Sequence, residues 1–481
     1  MPSPVDLLIE RGTVITLDPQ RRVIEDGAVA VQGDRIVAVG PTAELQSRYR
    51  AAQTIDARRQ AVLPGFVDAH AHAGHALLRT LGAGDPDAWS QACAAIYTRS
   101  SDEDFWEAES ALASLERLKA GVTTGVSLLG GGDSVMRLDD PRYAQAHARA
   151  VERTGTRSLV AIGPTRPGGP TVYADWSSGA AREREIDGMA MLDAGREIVR
   201  TLHGAGSGRI GIAVVLPVFA PMHEADHAAL RPAFAQQARD WLGLAQDGNL
   251  SLTQDGHRAG TLELAQREFG LLGERAFMSH CIDLTEGDIT ALRESGAKVV
   301  HNPSAIMSIR GRCPVPELID AGITVAIGSD GAAPDRGYDM FRHMWQCMHY
   351  HRRHARDPLV LPHGKVLEMV TIDAARAVGL GHEVGSLEPG KRADVILVDL
   401  FKPHLLPMNM PVYRVTCFAN AGDVDTTIVG GRVLMRGRRV LSVDEPEVLE
   451  RAQAASERML ARSGLGHLTH APPHLWGASH Y

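Results

Sequence analysis

The chain has few cysteines, and their arrangement excludes two kinds of small-domain framework. Five cysteines occur in 481 residues, widely spaced, odd in number and without a CxxC pair. A disulfide scaffold needs paired cysteines, and a thiolate zinc site of the ribbon type needs closely spaced ones. The sequence therefore predicts neither, and it favours a protein kept reduced in the cytoplasm.

Long apolar runs and an excess of positive charge are also missing. The opening stretch MPSPVDLLIERG has no basic start followed by a long apolar segment, and no later run approaches the length of a membrane span. The formal net charge of −8 gives no general attraction to nucleic acid or to an anionic membrane. We expect neither nucleic acid nor a membrane as a partner.

Sequence typical of short strands is concentrated at the two ends of the chain. Residues 1–59 and 391–445 are rich in β-branched residues broken by glycine and Asp-Arg turns. We predict that they pair into one small β-sandwich domain, because two separate β extensions would leave more unpaired edges. A C-terminal helix and tail is expected over 446–481.

Between the ends, residues 60–390 alternate apolar strands with amphipathic helices. Eight strand-like segments are present: GFVDAHAH, GVTTGVSLL, RSLVAIGP, RIGIAVVLPVF, NLSLTQDGH, RAFMSHC, AKVVHNP and TVAIGSDG. Eight βα units over this length predict an α/β fold, a (β/α)8 TIM barrel. A doubly wound sheet is the alternative, but polar residues at so many strand ends favour the barrel.

Histidines and an aspartate stand at three of these predicted strand ends. His70 and His72 end strand one, His280 ends strand six and Asp330 ends strand eight. Residues two apart on a strand share a face, so His70 and His72 point the same way. Barrel closure places strands one and eight side by side. Imidazole and carboxylate ligands suit a borderline divalent ion such as Zn²⁺, with Fe²⁺ and Mn²⁺ as alternatives.

Several motifs in the same order resemble those of the amidohydrolase superfamily. They are VLPGFVDAHAHAGHALLR, FMSHCIDLTEGDITALRESGAKVVHNP, GITVAIGSDGAA and GSLEPGKRADVILVDL. The particular branch contains cytosine, guanine and S-adenosylhomocysteine deaminases and triazine chlorohydrolases, and the resemblance covers nearly the whole chain. It implies a hydrolase of a small molecule, and homo-oligomers, dimers or tetramers, are common in this family.

The resemblance also implies a role for each matching residue. His70, His72 and Asp330 correspond to ligands of one divalent ion, whose bound water is the nucleophile. Asp330 takes the proton of that water and passes it to the leaving group. His280 hydrogen-bonds the attacking oxygen or stabilises the oxyanion.

Strand five departs from the pattern of the branch, which is His-x-His-x-x-Glu. In LSLTQDGHRAG, Ser251 and Thr253 take the histidine positions and Gly256 takes that of the glutamate. Three interpretations stay open. The ion is held by three residues alone, or Gln254, Asp255 or His257 replaces the missing ligand, or the metal and its chemistry have been lost.

The missing glutamate bears on the substrate. In the branch it protonates a ring nitrogen, and attack on an aromatic ring carbon depends on that proton. Hydrolysis of an amide, urea or lactam needs less help, so deamination of a heterocycle and amide-type hydrolysis remain equal alternatives. A metal-assisted lyase or decarboxylase, and a metal-free binding protein, are the rival functions. Candidate substrate contacts are Trp89, Arg166, His301 and Arg310.

Overall fold

The computed structural model describes residues 2–132, 135–220, 224–471 and 475–477. Its strands are β1 Ser3–Ile15, β2 Val23–Gln32, β3 Arg35–Pro41, β4 Tyr49–Asp56, β5 Gln60–Pro64, β6 Phe66–Asp68, β7 Val122–Leu128, β8 Arg157–Ile162, β9 Thr171–Asp175, β10 Arg182–Ile186, β11 Ile210–Leu216, β12 Ser251–Gln254, β13 Ala276–Ser279, β14 Lys298–His301, β15 Val325–Ile327, β16 Val395–Asp399, β17 Val424–Val429, β18 Arg432–Arg436 and β19 Arg439–Val440.

The helices lie mostly between the strands of the middle region. They are α1 Thr42–Arg48, α2 Pro86–Ala95, α3 Glu103–Lys119, α4 Arg142–Thr154, α5 Gly188–Leu202, α6 Ala205–Gly208, α7 Glu224–Asp247, α8 Thr261–Phe269, α9 Glu286–Ser295, α10 Ile306–Arg310, α11 Val315–Asp320, α12 Met340–Ala355, α13 His363–Met369, α14 Ile372–Ala377, α15 Pro411–Cys417 and α16 Glu445–Ser463. None within the described ranges is both long enough and apolar enough to cross a membrane.

The predicted barrel is confirmed. Its eight-stranded sheet has the order β6-β7-β8-β11-β12-β13-β14-β15, and each neighbouring pair is parallel. These strands fall within the eight segments expected from the sequence. All seven residues of β7 are buried, as expected for a parallel strand that is covered on both faces. Each functional side chain therefore comes from a strand end or the loop after it.

A seam of polar contacts closes the barrel between its first and last strands. The amide of Ala69 donates to the carbonyl of Ile327 (3.3 Å), and the amide of Asp330 donates to that of His70 (2.9 Å). Below them, the carboxylate of Asp68 accepts hydrogen bonds from the amide and hydroxyl of Ser329, each 2.8 Å long. This seam fixes Asp330 beside His70.

The two chain ends form one β unit, as predicted. A nine-stranded sheet contains β1 to β5 and β16 to β19, and β5 joins the two sets by pairing antiparallel with β16, with Leu63 opposite Ile396. Its buried core mixes residues from both ends, including Ile9, Val29 and Val395. The domain limits at residues 59, 391 and 445 stay predictions.

The buried charge of Asp68 generates a stability prediction. Its Oδ2 lies 3.0 Å from the guanidinium of Arg117, and both side chains are buried. We expect Asp68→Asn to lower the free energy of unfolding by about 3–5 kcal/mol, because it leaves a buried guanidinium without its counter-charge. The matched control is Asp56→Asn, which removes an exposed pair with Arg58 and costs less than about 1 kcal/mol. Equal losses in urea denaturation would contradict the assignment.

Candidate metal centre

Five side chains from four strand ends converge at the carboxyl face of the barrel. They are His70 and His72 after β6, Asp255 after β12, His280 after β13 and Asp330 after β15. We call them the five-residue cluster. It contains the four residues to which the sequence assigns metal binding or catalysis, together with Asp255, one of the three candidates for the strand-five ligand.

The contacts within the cluster run between imidazole nitrogens and carboxylate oxygens. Oδ1 of Asp255 lies 3.4 Å from Nε2 of His70 and 3.0 Å from that of His280, and its Oδ2 lies 3.4 Å from Nε2 of His72. Oδ1 of Asp330 lies 3.4 Å from Nε2 of both His70 and His72 and 3.6 Å from that of His280. All five side chains therefore face one point.

These separations fit a small divalent ion. Ligand atoms about 2.1 Å from a tetrahedral ion stand roughly 3.4 Å apart, which is the spacing of the cluster. Two buried atoms that face this point, Nε2 of His70 and Oδ1 of Asp255, also have no hydrogen-bond partner within the described residues. An ion would satisfy such atoms, so the donor set is suited to the metal that the sequence predicts.

Backbone and hydrogen bonding hold the ligands in place. Nδ1 of His72 lies 2.8 Å from the carbonyl oxygen of Gly130 and donates to it, which leaves the lone pair of Nε2 directed at the carboxylates. His280 and Asp330 both have positive φ, 66° and 61°. Residues other than glycine rarely adopt this conformation, and such strain tends to occur at functional sites.

The two carboxylates of the cluster require neighbouring positive charge. Burial lowers the pKa of His70, but the carboxylates of Asp255 and Asp330 outweigh that effect and raise it to about 10. Burial raises the pKa of both carboxyl groups, yet the neighbouring cations bring each well below its usual range. Both carboxylates are thus kept ionised, and a divalent cation would do the same.

Arg336 is a member of the site that the sequence interpretation missed. Its Nη2 lies 3.0 Å from Oδ2 of Asp330, its side chain is only 5% exposed, and its Nε has no partner within the described residues. It follows strand eight in the same loop as Asp330. The sequence feature that could have identified Arg336 is its place in a loop at the carboxyl face of the barrel, where functional side chains are expected.

His75 is a second residue that the sequence interpretation missed. Its ring centroid lies 4.5 Å from that of His72 and 5.1 Å from that of Trp89, on α2. Trp89 is half-buried, and its ring contacts that of His75. The spacing of His75, three residues after His72, was the signal for it.

Gln254 and His257, the proposed substitutes for the strand-five ligand, point elsewhere. Nε2 of Gln254 donates to the carbonyl of Pro217 (2.8 Å), and Nδ1 of His257 lies 2.9 Å from the hydroxyl of Thr261. Because side chains alternate along a strand, Thr253 and Asp255 share a face and Gln254 takes the other. Asp255, two residues beyond the expected ligand position, is therefore the one of the three candidates whose side chain faces the cluster.

The remaining predicted contacts lie outside the cluster. Arg166 is exposed and lines a surface cavity with Asp187 and Trp241, to which no member of the cluster contributes. Arg310 is exposed at the end of α10. His301 is buried against α12, with its ring centroid 5.3 Å from that of His351.

Comparison with known proteins agrees with this geometry. The profile of the amidohydrolase family matches residues 245–434, and that of a bacterial imidazolonepropionase-like composite domain matches residues 27–52. A solved adenosine deaminase from Xanthomonas campestris with bound zinc superposes with a TM-score of 0.79 at 26% identity, covering 96% of this chain and 100% of that one.

Two curated relatives share most of their length with the chain. Both are named 5-methylthioadenosine/S-adenosylhomocysteine deaminase. One, from Syntrophobacter fumaroxidans, is 32% identical over 94% of this chain and 98% of its own. The other, from Desulforudis audaxviator, is 35% identical over 90% and 95%. Deaminases use water to cleave a carbon–nitrogen bond, so the predicted enzyme class agrees with these relatives. The chain belongs to the amidohydrolase family.

Proposed function

We propose that the protein hydrolyses a carbon–nitrogen bond in a small nitrogen-containing heterocycle, with one divalent ion held by the five-residue cluster. The observation that carries the proposal is the approach of two carboxylates to three imidazoles at 3.0–3.6 Å. When bound, such an ion lowers the pKa of a coordinated water towards neutrality and so supplies a nucleophile at pH 7.

Zinc is the proposed ion, with iron(II) and manganese(II) as alternatives. His70, His72, Asp255 and Asp330 would hold it, and this mixture of nitrogen and oxygen donors suits all three metals. The zinc in the related adenosine deaminase supports the first choice. Two ionised carboxylates would balance the charge of a divalent ion, which favours binding in a buried site.

The protein groups around the ion have distinct tasks. Asp330 has Oδ1 directed at the histidines, where it would hold the ion, and Oδ2 paired with Arg336. Its carboxylate is also the base that accepts a proton from the attacking water. His280 donates a hydrogen bond to the attacking oxygen. Arg336 holds Asp330 in orientation and offers a fixed positive charge next to the reacting atoms.

Arg336 favours amide-type hydrolysis as the second candidate reaction. A guanidinium group stabilises negative charge but does not give up its proton. It therefore assists attack on a carbon that is already polarised, as in a cyclic amide or urea, better than attack on a neutral aromatic ring. Deamination of adenosine-type nucleosides remains the first candidate, because the curated relatives carry that activity in their names.

The metal assignment predicts which substitutions remove the ion. We expect about one ion per chain at this cluster in wild type and its loss in Asp255→Ala, because both oxygens of Asp255 face the histidines. Gln254→Ala and His257→Ala are matched controls that keep it, since both side chains point away. Elemental mass spectrometry on untagged protein measures the content. No ion at this cluster after loading with zinc, iron or manganese would instead support a metal-free binding protein.

The catalytic assignment predicts ammonia release from S-adenosylhomocysteine, 5-methylthioadenosine or adenosine, or ring opening of a cyclic amide. With the best substrate, Asp330→Asn should lower kcat by about 10²–10⁴-fold, and Arg336→Gln by about 10²-fold. The control Arg342→Gln, an exposed arginine on α12, should leave kcat unchanged. Oxygen from labelled water must appear in the product, and a product without it would identify a lyase or decarboxylase.

We also propose a cytoplasmic homo-oligomer, a dimer or tetramer. All five cysteines are free thiols, which fits a reducing compartment. Apolar side chains are exposed together near α15, including Met410 (57%) and Phe418 (59%), as at subunit interfaces. Light scattering should show an oligomer that Phe418→Asp weakens, while Met189→Asp, on a separate exposed site, does not. A monomeric wild type at micromolar concentration would rule this out.

A further inference from the structure

A second group of metal-ligating side chains lies between the barrel wall and α12. It consists of His301, the last residue of β14, with Cys347 and His351 on α12. One nitrogen of each imidazole and the sulfur of Cys347 lie within 4.8 Å of one another. All three side chains are buried, at 1%, 0% and 1% exposure. We call them the His-Cys-His group.

The imidazoles of this group have no hydrogen bonds to account for their burial. Both ring nitrogens of His301 and both of His351 are buried and lack a partner within the described residues. The two rings form a T-shaped contact, with an angle of 61° between their planes and 5.3 Å between their centroids. Buried polar atoms are nearly always satisfied, so these orphaned nitrogens indicate a ligand that would bind one nitrogen of each ring.

The positions of the three residues suit a common ligand. Cys347 and His351 are four residues apart on a helix and therefore share one face. His301 stands opposite them, at the end of a barrel strand. Its neighbour Asn302 donates instead to the hydroxyl of Ser279 (2.8 Å), at the end of the adjacent strand.

We propose that His301, Cys347 and His351 bind one thiophilic metal ion, Zn²⁺ or Cu⁺, which links α12 to the barrel wall. Thiolate and imidazole donors together select these metals, whereas calcium and magnesium require oxygen ligands. Ligand atoms of a tetrahedral zinc site with one sulfur stand roughly 3.3–3.6 Å apart, which is inside the 4.8 Å limit on the separations of these three atoms. This site contains sulfur, and the five-residue cluster contains none.

The difference in donors makes the proposal testable by X-ray absorption at the metal edge. Wild-type protein, loaded separately with zinc or with copper(I) under anaerobic reducing conditions, should bind an ion that has a sulfur neighbour at about 2.3 Å. Cys347→Ser and His351→Ala should each remove one equivalent of metal together with the sulfur signal. The control Cys417→Ser, a half-buried thiol on α15, should keep both.

The two metal proposals fail independently. His70→Ala should lose the ion of the five-residue cluster and keep the sulfur-bound ion. A wild type that binds a single ion, with a sulfur neighbour, would support the His-Cys-His site while contradicting the proposed hydrolase centre. If wild-type protein shows no sulfur neighbour at the metal after zinc loading and none after copper(I) loading, the His-Cys-His site is overturned. Because that result comes from the wild type, it does not depend on the folding of a variant.

Discussion

Two carboxylates, that of buried Asp330 and that of the partly buried Asp255, are the constraint on which the face of the barrel depends. Both carboxylates lie against the same three imidazoles, and they would repel each other strongly if no positive charge stood between them. The protein supplies some of that charge through Arg336 and through the high pKa of His70. A divalent ion would take the place of the proton on His70, because an imidazole that binds metal is neutral, and its two charges match those of the two carboxylates. The same feature thus explains both the burial of the charges and the chemistry of the site.

Barrel closure is what makes this constraint possible. Asp255 and Asp330 are far apart in sequence and come from strands that are not neighbours in the sheet. They meet because the seam at Asp68 and Ser329 fixes the last strand against the first. Asp68 is held by Arg117, which reaches it from α3. The network below the cluster therefore positions it without touching the reacting atoms.

The sequence predicts the fold and most of the cluster, because both depend on local patterns. Apolar runs mark the eight strands, and polar residues at their ends mark His70, His72, His280 and Asp330. For the missing strand-five ligand the sequence leaves three candidates, of which Asp255 is one. A pattern of residues alone does not locate the end of a short strand to within two positions. Arg336 and the orientation of His301 depend on how loops and helices pack around the closed barrel, which periodicity does not encode.

Neighbouring side chains at the end of β14 point in different directions, one towards the five-residue cluster and the other towards α12. Asn302 hydrogen-bonds Ser279, the residue before His280, whereas His301 meets α12. One strand end thus connects the five-residue cluster with the packing of a helix. The loop that carries Arg336 leads directly into that helix. A metal ion at the His-Cys-His group would therefore fix the position of α12. Because the loop with Arg336 joins this helix, the ion would also limit the movement of the guanidinium that pairs with Asp330. It would add no group to the reaction itself.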